Sequence, residues 1–382
     1  ETIGSLFSYH RVKGGSIMSM TRRKFLGISA VAGASLFVPW KFGVRDAYAF
    51  AQSDPLQKWI QPIRGLGGAT GIPVMSALRD PVYGSAVDYY RIGISEFTDQ
   101  LHPALGPTHL WGYFEMPRQE NAANASSDED LDRICNANHI ARPVKRHLGG
   151  VIVAKKDRAV RIRFSNLLPG RKGHIIPLDT TIPGANQAVN RAAVHLHGGH
   201  VPWISDGGPH DWWTPNGQHG LSFMNKAVAP RQFSFPWQAD YYYPNDQSAR
   251  LMWYHDHAWG ITRLNAYAGI ASAYVITDAI AEAPFASLPM VPLVWQDKIF
   301  VSSTTLLPGN DPTWATVMPA RVQTPGNLWY PHEYQIDRWD RGPSSLTLPN
   351  PSSVPEMFGD TMLCNGTVYP YLDVQPGAYR FR

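Results

Sequence analysis

Two short histidine pairs constrain most strongly how this chain can fold. His195 and His197 lie in "VHLHGG", and His255 and His257 lie in "LMWYHDHAWG", both within apolar and aromatic runs. In a β-strand, residues i and i+2 project from the same face, so the two imidazoles of each pair point together. Two such strands side by side would place four imidazoles in one patch, while Asp256 would face the other way.

The rest of the chain has the pattern of a β protein. Its 33 glycines and 32 prolines separate short runs of Val, Ile, Tyr and Trp, as turns separate strands. The stretch "GVIVAKKDRAVRIRFSNLLPG", from Gly150, contains two β-branched runs joined by "KKDR" and predicts a hairpin. The C-terminal stretch "VYPYLDVQPGAYRFR" repeats this strand, turn and strand pattern. The predicted fold class is all-β, with tandem Greek-key β-sandwiches.

The N-terminal 50 residues resemble an export signal. The stretch "TRRKFLGISAVAGASLFVPWKFGVRDAYAFAQ" starts with Arg22 and Arg23 and continues into a mild apolar region that is short for a membrane span. It resembles a twin-arginine signal that is cleaved near residue 50. We therefore expect an exported, periplasmic or extracellular protein that uses the twin-arginine export machinery. A retained membrane anchor is the alternative interpretation.

Charge and cysteine content exclude several classes of partner and site. From residue 50 onward the chain has 27 basic and 28 acidic residues, so the net charge of +4 becomes about −1 without the leader. No Lys/Arg cluster remains that would favour nucleic acid. Cys135 and Cys364 have no second cysteine nearby, which excludes the cysteine spacings of zinc-finger and iron–sulfur sites. They form either a disulfide in an oxidising compartment or two buried thiols.

Composition divides the chain into four segments. Residues 1–50 are the leader and signal, 51–86 a flexible leader, 87–280 a first domain with both histidine pairs, and 281–382 a second, incomplete domain. The start at Glu1 and the end inside a predicted strand suggest a fragment that is incomplete at its C-terminus.

The chemistry of the histidine pairs indicates a metal centre. One pair alone would be interpreted as a chance pair on a half-exposed strand, but two pairs in apolar, glycine-flanked strands predict metal ligands. Neutral imidazoles without thiolate or carboxylate partners favour copper or zinc.

The motifs around these pairs resemble the multicopper oxidase family, within it the bacterial three-domain type with spore-coat laccases and bilirubin oxidases. The matching stretches are "HLHGG", "SDGGP" and "WYHDHAWGITRLNAYAGIASAYVI", and the resemblance covers roughly residues 87–382. It implies that both predicted domains are cupredoxin-like. It also implies oxidation of substrate one electron at a time at a type 1 copper, with electrons passing to a trinuclear cluster where O2 is reduced to water.

The resemblance also implies roles for individual residues. His195 would bind the type 2 copper, while His197, His255 and His257 would bind the type 3 pair. Asp206, in "WISDGG", matches an acidic residue that family members keep near the cluster, where a carboxylate can relay protons. The alternative interpretation of Asp206 is a turn residue before two glycines.

The chain departs from the family in what it lacks. Four further histidines of the cluster come, in the family, from a C-terminal domain with HxxHxH and HCHxxxH motifs, and neither motif occurs here. No cysteine is flanked by histidines, so no thiolate for a type 1 copper is present. We expect the third, type 1 copper domain to be absent from this chain, which alone would hold half a cluster and be inactive.

The resulting hypothesis is a copper-dependent oxidoreductase. It would couple one-electron oxidation of phenolic or metal-ion substrates to the four-electron reduction of O2 to water. The expected partners are O2 and a small reducing substrate, with no nucleic acid and no stable membrane span in the mature protein. The alternative is a non-catalytic exported cupredoxin-like scaffold or a copper-binding protein.

Overall fold

The structure is a computed structural model that describes residues 53–170, 172–228, 235–302, 318–331 and 358–382. Most of its regular secondary structure is β-strand. The predicted signal lies outside the described residues. In chain order the strands are β1 (Leu78–Asp80), β2 (Gly84–Asp99), β3 (Thr108–Glu115), β4 (Ile152–Lys155), β5 (Val160–Asn166), β6 (Val194–His197), β7 (Gln238–Tyr243), β8 (Arg250–Asp256), β9 (Ala271–Thr277), β10 (Met290–Val291), β11 (Trp295–Lys298), β12 (Thr361–Cys364), β13 (Thr367–Val368) and β14 (Arg380–Phe381). The all-β prediction is confirmed.

Helices are short in the described part of the chain. They are α1 (Glu120–Ala123), α2 (Asp128–Ala137) and α3 (Thr262–Ala268), with single 3-10 turns at Trp203–Ser205, Asn225–Val228, Ala283–Phe285 and Ala320–Val322. The Ser127 hydroxyl accepts from the Asp130 amide and caps α2. Gly269, at φ +119°, ends α3, where a side chain would clash with the Trp111 carbonyl. None of these helices is long and apolar enough to cross a membrane.

Two sheets position the histidine pairs. The first has the order β1-β2-β5-β7, with β3 also paired to β2, and the second has the order β4-β9-β8-β6. Side chains of both sheets share one hydrophobic core, in which Phe164 and Tyr113 contact the ring of Tyr254. The core therefore packs against one face of β6 and β8, through Leu196 and Tyr254, and the histidines of these strands lie on the other face.

The predicted hairpin after Gly150 is wrong. Strand β4 pairs with β9 in the second sheet, while β5 pairs with β2 and β7 in the first. The "KKDR" turn thus carries the chain from one sheet to the other. Strand β5 is buried at every position, including Arg161 and Arg163. Apolar residues that alternate with basic ones, as Val160, Ile162 and Phe164 do with Arg161 and Arg163, are more typical of a strand with one solvent-facing side.

A buried ion-pair network makes this burial possible. Arg161 donates to Asp80 and to Asp240, each at 2.7 Å, and Arg163 donates to the other Asp240 oxygen at 3.1 Å. The Arg161 guanidinium also lies 4.1 Å from the centre of the Tyr89 ring. Buried charges of this kind are tolerated only when they are paired and hydrogen-bonded.

Residues 53–86, predicted to be part of a flexible leader, form hydrogen bonds to residues far along the chain. Gln61 donates to the Leu101 carbonyl at 2.9 Å, and Arg64 forms a two-pronged pair with Asp99. The Ser53 hydroxyl donates a hydrogen bond to the Asp360 carboxylate at 2.6 Å, although the two residues are 307 positions apart in the sequence. Local composition does not reveal these long-range hydrogen bonds, and the flexible leader at residues 51–86 stays a prediction.

The second predicted domain is a set of short strands in the described residues. Strand β11 pairs with β12 and β12 with β13, while β10 pairs with β14. The described residues from 53 onward belong to one compact unit, and the core cluster includes Ile299, Trp329 and Leu363 beside Ile92. A division into two domains at residue 280 therefore stays a prediction.

The two cysteines are buried thiols that form no disulfide. Cys364 lies at the end of β12 and Cys135 in α2. Burial raises the pKa of the Cys364 thiol from 9.0 to about 11. Of the two interpretations of these cysteines, buried thiols are the one that the structure matches.

Lys298 provides a stability prediction, because burial lowers the pKa of its ammonium group from 10.5 to about 7 although Asp297 opposes this. The ammonium donates to the Tyr267 carbonyl at 2.7 Å. Between pH 7 and 10.5 the Lys298 side chain is protonated more fully in the unfolded chain than in the folded one. The contribution of Lys298 to stability therefore falls as the pH falls through that window. Replacing it with methionine should raise the free energy of unfolding at pH 7 by about 4 kcal/mol, reduced by the contribution of the lost bond to the Tyr267 carbonyl.

Urea unfolding at pH 7 and pH 10 measures this effect. The Lys298→Met gain should shrink at pH 10, and Lys155→Met, at an exposed position of β4, should change stability little at either pH. A Lys298→Met protein less stable than wild type at pH 7 would show that the bond to Tyr267 outweighs the cost of burying the charge.

Candidate metal centre

His195 and His197 lie on β6, and His255 lies on the neighbouring strand β8. Strands β6 and β8 are antiparallel, with His195 directly opposite His255 and His197 opposite Trp253. Directly opposite residues share one face of a sheet. The juxtaposition expected from the period-two pattern is therefore present for these three histidines.

The three imidazoles converge at ligand distance from one another. One ring nitrogen from each of His195, His197 and His255 lies within 4.8 Å of the other two. The closest pair is His197 Nδ1 and His255 Nε2, at 3.2 Å. His257 lies one residue beyond the end of β8, with its ring centre 5.0 Å from that of His195 and 6.1 Å from that of His255. The fourth predicted ligand is thus beside the group rather than within it.

Backbone carbonyls fix the orientation of two of the rings. His195 Nδ1 donates to the Asp206 carbonyl and His255 Nδ1 donates to the Asp256 carbonyl, each at 2.7 Å. A carbonyl only accepts hydrogen bonds, so Nδ1 must carry the proton in both rings. Nε2 is then the nitrogen with a lone pair for a metal.

Burial favours the uncharged form of the inner histidines. It lowers the pKa of His255 from 6.5 to about 4, with the neighbouring histidines adding to this and the bond to Asp256 opposing it. Burial also lowers the pKa of His257. Neutral imidazole is the form that binds metal ions.

Asp256 supports the site from the opposite face of β8, as its position in the strand predicts. Its carboxylate accepts from the amides of Ala193, at 2.9 Å, and Ala258, at 3.0 Å. Burial raises its pKa from 3.8 to about 7, although these two hydrogen bonds act to lower it. It therefore ties the backbone before β6 to the backbone that follows His257.

Asp206 contacts the site through two groups. Besides its carbonyl, its carboxylate Oδ1 lies 3.3 Å from His195 Nδ1, and its side chain is 53% exposed. The segment is held close to β6, because a Cβ on the next residue, Gly207, would lie 1.8 Å from the Val194 carbonyl oxygen. The carboxylate thus lies between a predicted ligand and solvent.

Trp253 was not among the residues predicted from the sequence. Its indole stacks on the ring of His197, with centres 5.2 Å apart, and on that of His255, with centres 4.1 Å apart. The signal was available, because Trp253 precedes His255 by two positions and so shares its face.

The donor set fits a metal ion that prefers imidazole. In the described residues this is the one group of three or more His, Cys, Asp or Glu side chains placed to hold a metal. His255 is buried and His197 is exposed, so the group is open on one side. Three imidazoles without a thiolate suit copper or zinc.

Sequence comparison finds relatives along most of the chain. This chain is 30% identical to a laccase of Bacillus subtilis over 319 residues, and the match covers 81% of this chain and 48% of the relative. It is 32% identical to a laccase of Bacillus stratosphericus over 300 residues, covering 77% and 44%. The corresponding values for a laccase of Haloferax volcanii are 30% over 375 residues, covering 95% and 48%.

The chain spans about half the length of the curated relatives it matches. No family model matches it. Among solved structures, it is similar to the McoA multicopper oxidase of Aquifex aeolicus, with a TM-score of 0.47, 18% identity, and coverage of 86% of this chain and 46% of that one.

Proposed function

The chain belongs to the multicopper oxidase family over the span that it shares with these laccases, and we propose that it forms part of a copper-dependent oxidase. The oxidase takes one electron at a time from phenolic or metal-ion substrates and reduces O2 to water. The observation that carries this proposal is the group of His195, His197 and His255, whose nitrogens converge within 4.8 Å. Retention of these imidazoles favours the oxidase over a non-catalytic scaffold.

The proposed ligand roles follow the motifs. His195 binds the type 2 copper, and His197, His255 and His257 bind the type 3 pair. The bound copper supplies the one-electron redox chemistry that substrate oxidation and O2 reduction require. The chain's own contribution is to present neutral imidazoles with their Nδ1 atoms held by backbone carbonyls, which supports binding through Nε2 at His195 and His255.

Asp206 is proposed as a proton relay for the same site. Reduction of one O2 to two waters consumes four protons, which must come from solvent. The half-exposed carboxylate, 3.3 Å from His195 Nδ1, supports this role because it contacts water and a ligand at once. Asp206 also ends the 3-10 turn at Trp203–Ser205, and its carbonyl orients the His195 ring.

The proposed setting is an exported protein with further copper. The type 1 copper and the remaining cluster ligands belong to a third domain outside this chain, and residues 87–280 and 281–382 are the two cupredoxin-like domains. The paired arginines of the leader support export by the twin-arginine machinery to the periplasm or beyond.

Oxygen uptake by the natural protein that contains this chain tests the function. After loading with copper and addition of a phenol, it should consume one O2 for every four electrons taken from substrate, and removal of copper by a chelator should stop uptake. The absence of uptake by the loaded protein would contradict the proposal, and a single bound copper per protein would favour a copper carrier.

A further inference from the structure

The ligand face is the side of the β6–β8 ladder that carries His195, His197 and His255, and Trp253 occupies its fourth corner. It lies opposite His197 across the β6–β8 ladder and two residues before His255 on the same strand. Its ring is nearly parallel to both imidazoles, with interplanar angles of 22° to His197 and 25° to His255. The side chain is 41% exposed, so one side of the indole covers the histidines and the other meets solvent.

The three imidazoles are not held in the same way. His195 and His255 each donate from Nδ1 to a carbonyl, whereas the one ring hydrogen bond of His197 among the described residues is to His255 Nε2. That contact joins two atoms of the ligand group. A metal bound to either atom would displace the contact, so it cannot orient His197 in the loaded site.

We infer that Trp253 is a positioning residue of the metal centre, which orients His197 by stacking where the other two ligands are oriented by carbonyls. The inference rests on the proposed function, because it assumes that the ligand face binds copper. The indole restricts rotation of the His197 ring about its side-chain bonds, so less freedom is lost when the metal binds. Groups that orient metal ligands typically change metal affinity by about 10- to 100-fold when they are removed.

Copper binding by the 382-residue chain tests this role. The dissociation constant for Cu(II) should be measured by competition with a chelator for wild type, Trp253→Ala, Trp253→Phe and Trp295→Ala. Trp295 is a matched control, because it is a 62% exposed tryptophan on β11 and lies outside the ligand face. We expect Trp253→Ala to bind about tenfold more weakly, while Trp253→Phe stays within about threefold of wild type and Trp295→Ala is unchanged.

A spectroscopic readout separates orientation from general stability. The electron paramagnetic resonance spectrum of bound Cu(II) should change in Trp253→Ala and be restored in Trp253→Phe, since phenylalanine keeps a flat ring. If the alanine variant does not fold, Trp253→Leu replaces it, because leucine fills space but cannot stack. The leucine variant should also bind Cu(II) about tenfold more weakly than wild type.

The outcomes distinguish this inference from the function on which it rests. An alanine or leucine variant with wild-type affinity and an unchanged spectrum would overturn the positioning role while leaving the copper site intact. A wild-type chain that binds no copper would overturn the proposed function and this inference together.

Discussion

The double variant His195→Ala, His255→Ala should lose at least about 100-fold in Cu(II) affinity, more than the 10- to 100-fold typical of residues that merely orient ligands. These two residues face each other directly across β6 and β8 and provide two of the three convergent nitrogens. Without them only one of the three convergent nitrogens remains, so this group can no longer chelate a metal ion. Isothermal titration calorimetry with Cu(II) measures this loss of affinity.

A matched control tests whether the face itself is responsible. His200 and His210 also follow β6, but His200 pairs with Asp246 at the surface and His210 contacts the edge of Trp259. Their double alanine variant should keep wild-type affinity. Equal losses in both double variants would mean that copper binds histidines of this chain without regard to the ligand face, which contradicts the account.

The second large effect is expected at Asp240, in the buried ion-pair network. Asp240→Asn should lower the free energy of unfolding by about 3–5 kcal/mol, because it removes a buried carboxylate charge that pairs with both Arg161 and Arg163 and leaves only Asp80 paired with Arg161. Chemical denaturation monitored by tryptophan fluorescence gives the value.

A partly exposed ion pair elsewhere on the sheet serves as the control. Asp88 pairs with Arg158 where both side chains reach solvent, so Asp88→Asn should cost about 1 kcal/mol or less. Similar costs for the two variants would show that burial does not set the strength of the Asp240 network.

Much of the ligand face could be predicted from the sequence because a strand has a strict period of two. The rule places His195 with His197, and His255 on the far side of the strand from Asp256, as the structure has them. The same rule reaches Trp253, which was overlooked because tryptophan is not a metal ligand. His257 is harder to predict, since β8 ends at Asp256 and the following turn sets its position.

Strand partners could not be predicted, because local pattern does not specify them. Strands β4 and β5 look like a hairpin, yet each pairs within a different sheet. Arg161 and Arg163 look solvent-facing, and their burial depends on Asp80 and Asp240, which lie about 80 residues away in either direction. Pairings of that sequence separation leave no trace in a short window.

The most direct test of the copper site is the crystal structure of the copper-loaded chain, with anomalous diffraction recorded on both sides of the copper absorption edge. The proposed copper site predicts an anomalous peak within bonding distance of nitrogens of His195, His197 and His255, and this peak should be lost in the double variant of His195 and His255. A peak only at other residues, or none in a chain shown to be folded, would contradict it.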